Sequence, residues 1–136
     1  MRIAEIMSPV ETIEPDASVQ QAAERMRDLD VGSIPVCDGD RLIGIVTDRD
    51  ITVRATAVGA DPARYRVVEV MTPRVDYCLA DDEIERALEL MESKQVRRLP
   101  VLDRDHRLVG TVAIGDIAAA AGTKESGEAL RRISEP

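Results

Sequence analysis

The chain repeats its own pattern after about 65 residues, and this internal repeat limits the possible folds more than any other feature. Three motifs recur in the same order in both halves: Met7-Ser8-Pro9 as Met71-Thr72-Pro73, Ile34-Pro35-Val36 as Leu99-Pro100-Val101, and GIVTDRDI at 44–51 as GTVAIGDI at 110–117. We therefore predict repeat 1 over residues 1–60 and repeat 2 over residues 61–121. The remaining tail, residues 122–136, is expected to be a short helix or disordered.

Each repeat predicts an extended segment followed by an amphipathic helix. The Met-Ser/Thr-Pro segment is extended because proline disfavours helix at the residue before it. In repeat 1, Ser18 and Gln21 form a capping box, and the stripe of the helix is Val19, Ala22, Ala23, Met26 and Leu29. In repeat 2 we expect Asp82 as the cap with Glu85 as its partner, and the stripe Ile84, Ala87, Leu88 and Met91.

Two short strands and a second helix complete each repeat. The segments IPVCD and RLIGIVT, like LPVLD and RLVGTVA, are separated by tight turns rich in Asp, and we expect antiparallel hairpins. The second helix of repeat 1 is predicted to begin at Asp48 and to end before Gly59 and Pro62. Its counterpart is predicted from about Gly115 to Gly122.

This order of elements predicts an α+β fold, sandwich-like, made of two β-α-β-β-α repeats. One repeat of about sixty residues buries too little apolar surface to be stable alone. Packing the two repeats sheet against sheet, with pseudo-twofold symmetry, would solve that problem. The core is expected to be aliphatic, because the chain has 44% hydrophobic residues, two tyrosines, and no Phe or Trp.

Composition excludes several functions. A net charge of −8 argues against binding to nucleic acid or an anionic membrane, which both favour a basic surface. No apolar stretch is long enough for a membrane span or resembles a signal peptide, so we expect a cytoplasmic protein. Cys37, Cys78 and the single histidine, His106, match no metal-ligand spacing. No nucleophile–base pair or phosphate loop is present, and we predict that the chain is not an enzyme.

The turn from strand into second helix allows two interpretations. Thr47 and Asp50 have the spacing of a helix cap, with the carboxylate at the positive end of the helix. The same hydroxyl and carboxylate would also suit a phosphate and the two hydroxyls of a ribose. In repeat 2, Asp116 persists although Ala113 replaces the threonine, and this makes a capping role alone a less complete explanation.

Taken together, the two repeats with GIVTDRDI, IPV and LPV resemble a tandem of CBS domains, the module named after cystathionine β-synthase (a Bateman module). The resemblance covers about residues 1–121 and is in particular to the small stand-alone bacterial CBS-pair proteins, including the hypoxic-response type. It implies a binding module with two clefts between the repeats. In this family such clefts often hold AMP, ADP, ATP, NAD or S-adenosylmethionine, and pairs commonly form homodimers.

Matching this sequence to the family pattern assigns residues to both clefts. The main cleft would contain Thr47, Asp50, Tyr77, Cys78, Val96, Arg97, Arg98, Leu99 and Pro100. The second would contain Thr12, Ile13, Ser33, Ile34, Pro35 and Asp116. The main cleft has arginines for a phosphate, of which one is expected to face inward because neighbours in a strand point to opposite faces. The second, with Ala113 and an uncharged VGS loop, is expected to be weak, empty, or suited to a nucleoside.

Two functions remain open at this point. The first is a regulatory protein, for example an energy sensor, that binds an adenine nucleotide or related adenosyl ligand and signals to a partner protein. No cofactor is obligatory in this interpretation; the adenine compound acts as a regulatory ligand. The alternative is a structural or protein-interaction dimer that binds no ligand. The sequence does not name the ligand, the partner or the stimulus.

Overall fold

The computed structural model describes residues 1–121 and divides the chain into two compact units. The central unit is Glu11–Val75, and the terminal unit combines Met1–Val10 with Asp76–Pro136. These units are not the same division as the sequence repeat, because residues 1–10 pack with the second half of the chain. The predicted tail over 122–136, with its apolar residues Ala129, Leu130 and Ile133, lies outside the described residues.

The central unit contains three helices and one hairpin. Their bounds are α1 Val19–Leu29, β1 Ser33–Asp38, β2 Arg41–Thr47, α2 Asp48–Arg54 and α3 Val67–Val70, with a 3-10 turn at Thr56–Val58. Strands β1 and β2 pair antiparallel, as predicted, with a bulge between Val36 and Cys37. Ile13 pairs in parallel with the outer edge of β1, through bonds from its N–H to Pro35 O and from Cys37 N–H to its carbonyl.

The terminal unit repeats this arrangement. It contains a 3-10 turn Ile3–Glu5, β3 Cys78–Leu79, α4 Ile84–Lys94, β4 Arg98–Leu102, β5 Leu108–Ala113 and α5 Ile114–Ala121. Its sheet has the order β3-β4-β5, parallel between β3 and β4 and antiparallel between β4 and β5. The mixed content of helices and small sheets confirms the predicted α+β class.

Each unit has its own aliphatic core. The inward faces of α1 and α4 supply Val19, Ala22 and Met26 in the central unit and the equivalent Ile84, Ala87 and Met91 in the terminal unit. The predicted stripe of α1 was too wide, because Ala23 is exposed and Leu29 is 41% exposed. The apolar spacing therefore identified both helices, but the buried face is narrower than the stripe.

Two predicted helix boundaries differ from the structure. Asp82 does not cap α4: its carboxylate accepts the N–H of Leu79 (2.9 Å), and the helix begins one residue later, after Glu83. The N–H of Ile84 instead donates to the carbonyl of Met1. In the central unit α2 ends at Arg54, and the predicted continuation toward Gly59 is a 3-10 turn.

The Met-Ser/Thr-Pro segments are extended, as predicted, but each lies against the hairpin of the other repeat. Thr72 and Ile45 of β2 exchange both backbone hydrogen bonds (2.8 and 2.9 Å), and so do Ser8 and Thr111 of β5 (2.8 and 2.9 Å). The element ahead of the first helix in each unit is therefore not this segment but the backbone at Ile13 or β3. This exchange explains why residues 1–10 belong to the terminal unit.

A glycine makes each of these contacts possible. A Cβ atom on Gly44 would lie 2.8 Å from the carbonyl oxygen of Thr72, and one on Gly110 would lie 2.8 Å from the carbonyl oxygen of Ser8. Real Cβ atoms do not approach backbone oxygens so closely. Gly44 and Gly110, the first residues of the repeated octets, are thus required by packing.

We predict that Gly44→Ala lowers the free energy of unfolding by about 1–3 kcal/mol, because the backbone of residues 71–73 must move away from β2. Gly115→Ala is the matched control, since a Cβ at Gly115 meets no atom within 4 Å. Urea denaturation followed by circular dichroism measures both. Equal stabilities of Gly44→Ala and Gly115→Ala would contradict the packing role.

Candidate functional site

The corner between β2 and α2 is closed by a reciprocal pair of hydrogen bonds. The N–H of Asp50 donates to the Thr47 hydroxyl oxygen, and the N–H of Thr47 donates to Asp50 Oδ2, both at 3.0 Å. These bonds satisfy two N–H groups that the helix itself leaves without partners. The capping interpretation of Thr47 and Asp50 is therefore correct. It leaves open the question of whether the same two side chains also bind a ligand.

Asp50 is nearly buried and has a second partner residue, Thr72, that the sequence analysis missed. Asp50 is only 9% exposed. The Thr72 hydroxyl donates toward both of its carboxylate oxygens at 3.3 Å. The backbone pairing of Thr72 with Ile45 carries the hydroxyl to this place. The repeated Met-Ser/Thr-Pro motif was the available signal, because its middle residue has a hydroxyl in both copies.

The equivalent corner between β5 and α5 keeps half of this arrangement. The N–H of Ala113 donates to Asp116 Oδ2 at 2.8 Å. From the sequence, capping alone was a less complete explanation of Asp116 because Ala113 replaces the threonine. The structure shows that the carboxylate caps a backbone N–H and does not need a hydroxyl neighbour to do so.

The predicted site residues are divided between the two units. The central unit contains Thr12, Ile13, Ser33, Ile34, Pro35, Thr47 and Asp50, and the terminal unit contains Tyr77, Cys78, Val96, Arg97, Arg98, Leu99, Pro100 and Asp116. Within the units, β-sheet pairing places Ser33 opposite Thr47 and Arg98 opposite Ala113. Each predicted cleft takes residues from both units, and both clefts remain predictions.

Several of these residues are part of the cores. Ile13 and Ile34 belong to the core of the central unit, and Cys78 and Leu99 to that of the terminal unit. Arg97 and Arg98 are exposed, and the carbonyl of Arg97 accepts the N–H of Ile114. The side chains of the four core residues are therefore used in packing, whereas Arg97 and Arg98 place charged side chains at the surface.

A negative charge from the first residue of α2, Asp48, lies beside the loop before β1, which the sequence analysis did not foresee. A Cβ atom on Gly32 would lie 3.2 Å from Oδ2 of Asp48, and the N–H of Asp48 donates to the carbonyl of Gly32. The VGS segment, predicted to be an uncharged part of the second cleft, thus has a carboxylate beside it. A phosphate would be repelled at this position.

Arg54 and Tyr77 have specific partners within their units. The guanidinium of Arg54 donates to the carbonyls of Val70 and Met71 (3.3 and 3.1 Å) and so joins α2 to the end of α3. The ring of Tyr77, 38% exposed, packs edge-on against His106 with 5.9 Å between ring centroids. Arg54 therefore holds the residues that precede Thr72.

Both cysteines are buried free thiols. Burial raises the pKa of Cys78 to about 12, helped by the nearby charge of Asp82, and burial with Glu14 and Asp40 raises the pKa of Cys37 to about 11. The Cys78 thiol contacts the carbonyl of Pro100 at 3.7 Å. These environments favour the protonated, unreactive thiol.

Two kinds of feature were not found in residues 1–121. No helix there is long and apolar enough to cross a membrane. Over the same residues, no three His, Cys, Asp or Glu side chains are grouped so as to hold a metal ion.

Two units that repeat one sheet topology and one strand-to-helix corner define a tandem-repeat α+β protein. The family model for the CBS domain matches residues 3–55 and again 67–122. The chain belongs to the CBS domain family.

Known proteins of similar length support this assignment. CBS domain-containing protein YhcV of Bacillus subtilis is 42% identical over 126 residues, which cover 92% of this chain and 89% of that one. The crystal structure of Hypoxic Response Protein I with two coordinated zinc ions is 38% identical with a TM-score of 0.77, covering 88% of this chain and 98% of that one. CBSX2 of Arabidopsis thaliana, solved in complex with AMP, is 27% identical with a TM-score of 0.75 and coverages of 88% and 95%.

We predict that Thr47→Ala lowers the free energy of unfolding by about 1 kcal/mol through loss of the cap. Thr52→Ala, on the same helix, is the matched control. Its hydroxyl donates to the carbonyl of Asp48 within the same helix, and the change should stay within about 0.5 kcal/mol. Chemical denaturation compares the two. A Thr47→Ala variant as stable as Thr52→Ala would show that the hydroxyl does not stabilise the corner.

A second prediction concerns the thiols. In the folded protein at pH 8, we expect labelling by a thiol reagent to be at least about 100-fold slower than in guanidinium, because burial and a raised pKa both suppress the thiolate. The labelling rate should continue to rise above pH 9, since the pKa values lie near 11 and 12. Rapid labelling of one cysteine at pH 8, or a plateau near pH 9, would contradict the assigned environments.

Proposed function

We propose that this chain is a regulatory CBS-pair protein that binds an adenine nucleotide or a related adenosyl ligand and signals its presence to a partner protein. The observation that carries the proposal is the nearly buried Asp50 carboxylate at the β2–α2 corner, in a chain whose relative CBSX2 was solved with AMP. We further propose a cytoplasmic homodimer with no enzymatic activity, in which the ligand acts as a signal of energy state.

Asp50 is suited to the ribose of such a ligand. A carboxylate accepts hydrogen bonds at two oxygens, and a ribose diol presents two adjacent donors. The bond from the Thr47 N–H fixes the orientation of the Asp50 side chain before any ligand arrives. A fixed carboxylate loses little conformational freedom on binding, which favours affinity.

Thr47 is suited to a phosphate although it already serves as a cap. Its hydroxyl oxygen accepts the N–H of Asp50, but the hydroxyl proton is not used in that bond. We propose that this proton is donated to a phosphate oxygen. Arg97 and Arg98, which are exposed on the terminal unit, are proposed as the cations of the same main cleft. On a chain with net charge −8, such local cations are needed to bind a phosphate.

The second cleft is proposed to bind weakly and to prefer an uncharged nucleoside. Asp116 can accept ribose hydroxyls as Asp50 does, but Ala113 has no hydroxyl to donate. The Asp48 carboxylate beside Gly32 adds repulsion against a phosphate. The proposed main cleft, with Asp50, is therefore the site to test first.

A structural or protein-interaction dimer without a ligand is the second candidate. The observation that favours it is that both corner aspartates already have backbone partners, the N–H groups of Thr47 and Ala113. Helix capping alone is therefore a sufficient reason for both carboxylates. A second role for these carboxylates, in ligand binding, is needed only if an experiment detects binding.

The test is calorimetric titration of AMP, ADP, ATP, NAD and S-adenosylmethionine into the wild type and two variants. Asp50→Asn keeps an oxygen for the Thr47 N–H but loses the charge, and we expect it to weaken binding by at least about tenfold. Asp116→Asn is the matched control and should bind nearly as the wild type does. Native mass spectrometry of protein purified from its own cytosol reports the bound ligand and the oligomeric state together.

Absence of binding by all five compounds would favour the interaction dimer over the sensor. Equal losses in Asp50→Asn and Asp116→Asn would instead contradict the proposed inequality of the two clefts.

A further inference from the structure

The hydroxyl of Thr72 lies close to both oxygens of the Asp50 carboxylate. Its Oγ is 3.3 Å from Oδ1 and 3.3 Å from Oδ2 of Asp50. Equal distances place the hydroxyl on the plane that bisects the carboxylate, between its two oxygens. A ribose diol approaching the same carboxylate must supply one donor to each oxygen. The two sets of donors therefore need overlapping positions.

The remaining acceptor capacity of Asp50 is small. A carboxylate has about four acceptor positions, and the Thr47 N–H occupies one of them on Oδ2. With Asp50 only 9% exposed, little of the carboxylate surface is open to a second molecule. A diol therefore cannot bond to both oxygens while the Thr72 hydroxyl keeps its position.

Thr72 is held at this position by its backbone. Its N–H and carbonyl are both bonded to Ile45 of β2, and Arg54 donates to the carbonyl of the preceding residue, Met71. The close contact with Gly44 fixes the distance of the segment from the strand. The hydroxyl is thus presented to Asp50 by the fold itself. Its distances of 3.3 Å are longer than those of a strong hydrogen bond to a carboxylate, so it can be displaced.

The terminal unit lacks this contact. Ser8 occupies the position equivalent to Thr72, and its backbone pairs with Thr111 as that of Thr72 pairs with Ile45. Within residues 1–121, however, Asp116 accepts a bond from the Ala113 N–H and none from the Ser8 hydroxyl. The backbone pairing is thus the same in both units, but among residues 1–121 only the aspartate of the central unit accepts a bond from the hydroxyl of this segment.

We propose that the Thr72 hydroxyl competes with the ribose diol of an adenine ligand for the Asp50 carboxylate and thereby sets the affinity of that site. This inference rests on the proposed function. Binding of a diol releases the Thr72 hydroxyl from Asp50. The Thr72 side chain therefore changes its conformation when the site is occupied. Thr72 is a residue that determines affinity and selectivity for the diol.

The experiment compares two probes and three variants by calorimetry. The probes are AMP and 2′,3′-dideoxy-AMP, which lacks the diol. Thr72→Ala removes the competing donor and should bind AMP about three- to tenfold more tightly than the wild type, the factor expected for one typical hydrogen bond. Thr72→Ser keeps the donor, and Ser8→Ala removes the equivalent hydroxyl of the other unit; both should bind AMP as the wild type does.

The dideoxy probe isolates the diol. It should bind the wild type and Thr72→Ala equally, because neither complex requires the shared position. Folded Thr72→Ala that binds AMP no more tightly than the wild type would overturn the competition while leaving the proposed function in place. If neither the wild type nor any variant binds AMP, the proposed competition for the AMP diol is overturned; the proposed function fails only if ADP, ATP, NAD and S-adenosylmethionine are not bound either.

A second measurement avoids dependence on the folding of Thr72→Ala. In the wild type, three-bond scalar couplings report the χ1 rotamer of Thr72. We expect this rotamer to change when AMP binds and to stay unchanged when 2′,3′-dideoxy-AMP binds. A Thr72 rotamer that is unaffected by saturating AMP would overturn the proposal.

Discussion

The contact of the Met-Ser/Thr-Pro backbone with a glycine of the neighbouring strand is the constraint on which both units depend. At Gly44 and Gly110 there is no room for a Cβ atom, because a carbonyl oxygen would be 2.8 Å away. This approach lets the segment pair with the hairpin and extend its sheet. In the central unit it also brings Thr72 to Asp50. The close packing at Gly44 and the position of Thr72 beside Asp50 therefore result from the same backbone contact.

The two strand-to-helix corners show how one backbone arrangement can hold different chemistry. In both, an aspartate in the first turn of the helix accepts the N–H of the residue before the helix. This bond stabilises the corner whether or not a ligand binds. The differences lie in the side chains around it: Thr47 and Thr72 supply hydroxyls near Asp50, whereas Ala113 supplies none near Asp116. The corners are equivalent in folding and unequal in what they can offer a ligand.

Capping and ligand binding are compatible uses of the same carboxylate. The cap uses one acceptor position of Asp50 and leaves the others for different donors. Because the cap stabilises the helix without a ligand, the presence of the carboxylate does not by itself indicate binding. Ligand binding must therefore be judged from the hydrogen-bond donors around the carboxylate, which either compete with a ligand for it or add contacts to the ligand. In the central unit the hydroxyls next to Asp50 are those of Thr47 and Thr72.

The sequence was enough to predict the repeat, the α+β class, both hairpins, the helices α1 and α4, and the CBS family. The hairpins and helices follow from apolar spacing and turn residues within one stretch of chain, the repeat from the recurrence of three motifs, and the family from those motifs taken together. It did not predict that residues 1–10 pack with the second half, that Asp82 bonds to Leu79 instead of capping α4, or that Asp48 lies beside Gly32. Nor did it predict the hydrogen bonds from the Thr72 hydroxyl to the Asp50 carboxylate, which depend on the tertiary structure. Each of these contacts depends on how the backbone brings particular atoms together, which spacing along the chain does not specify.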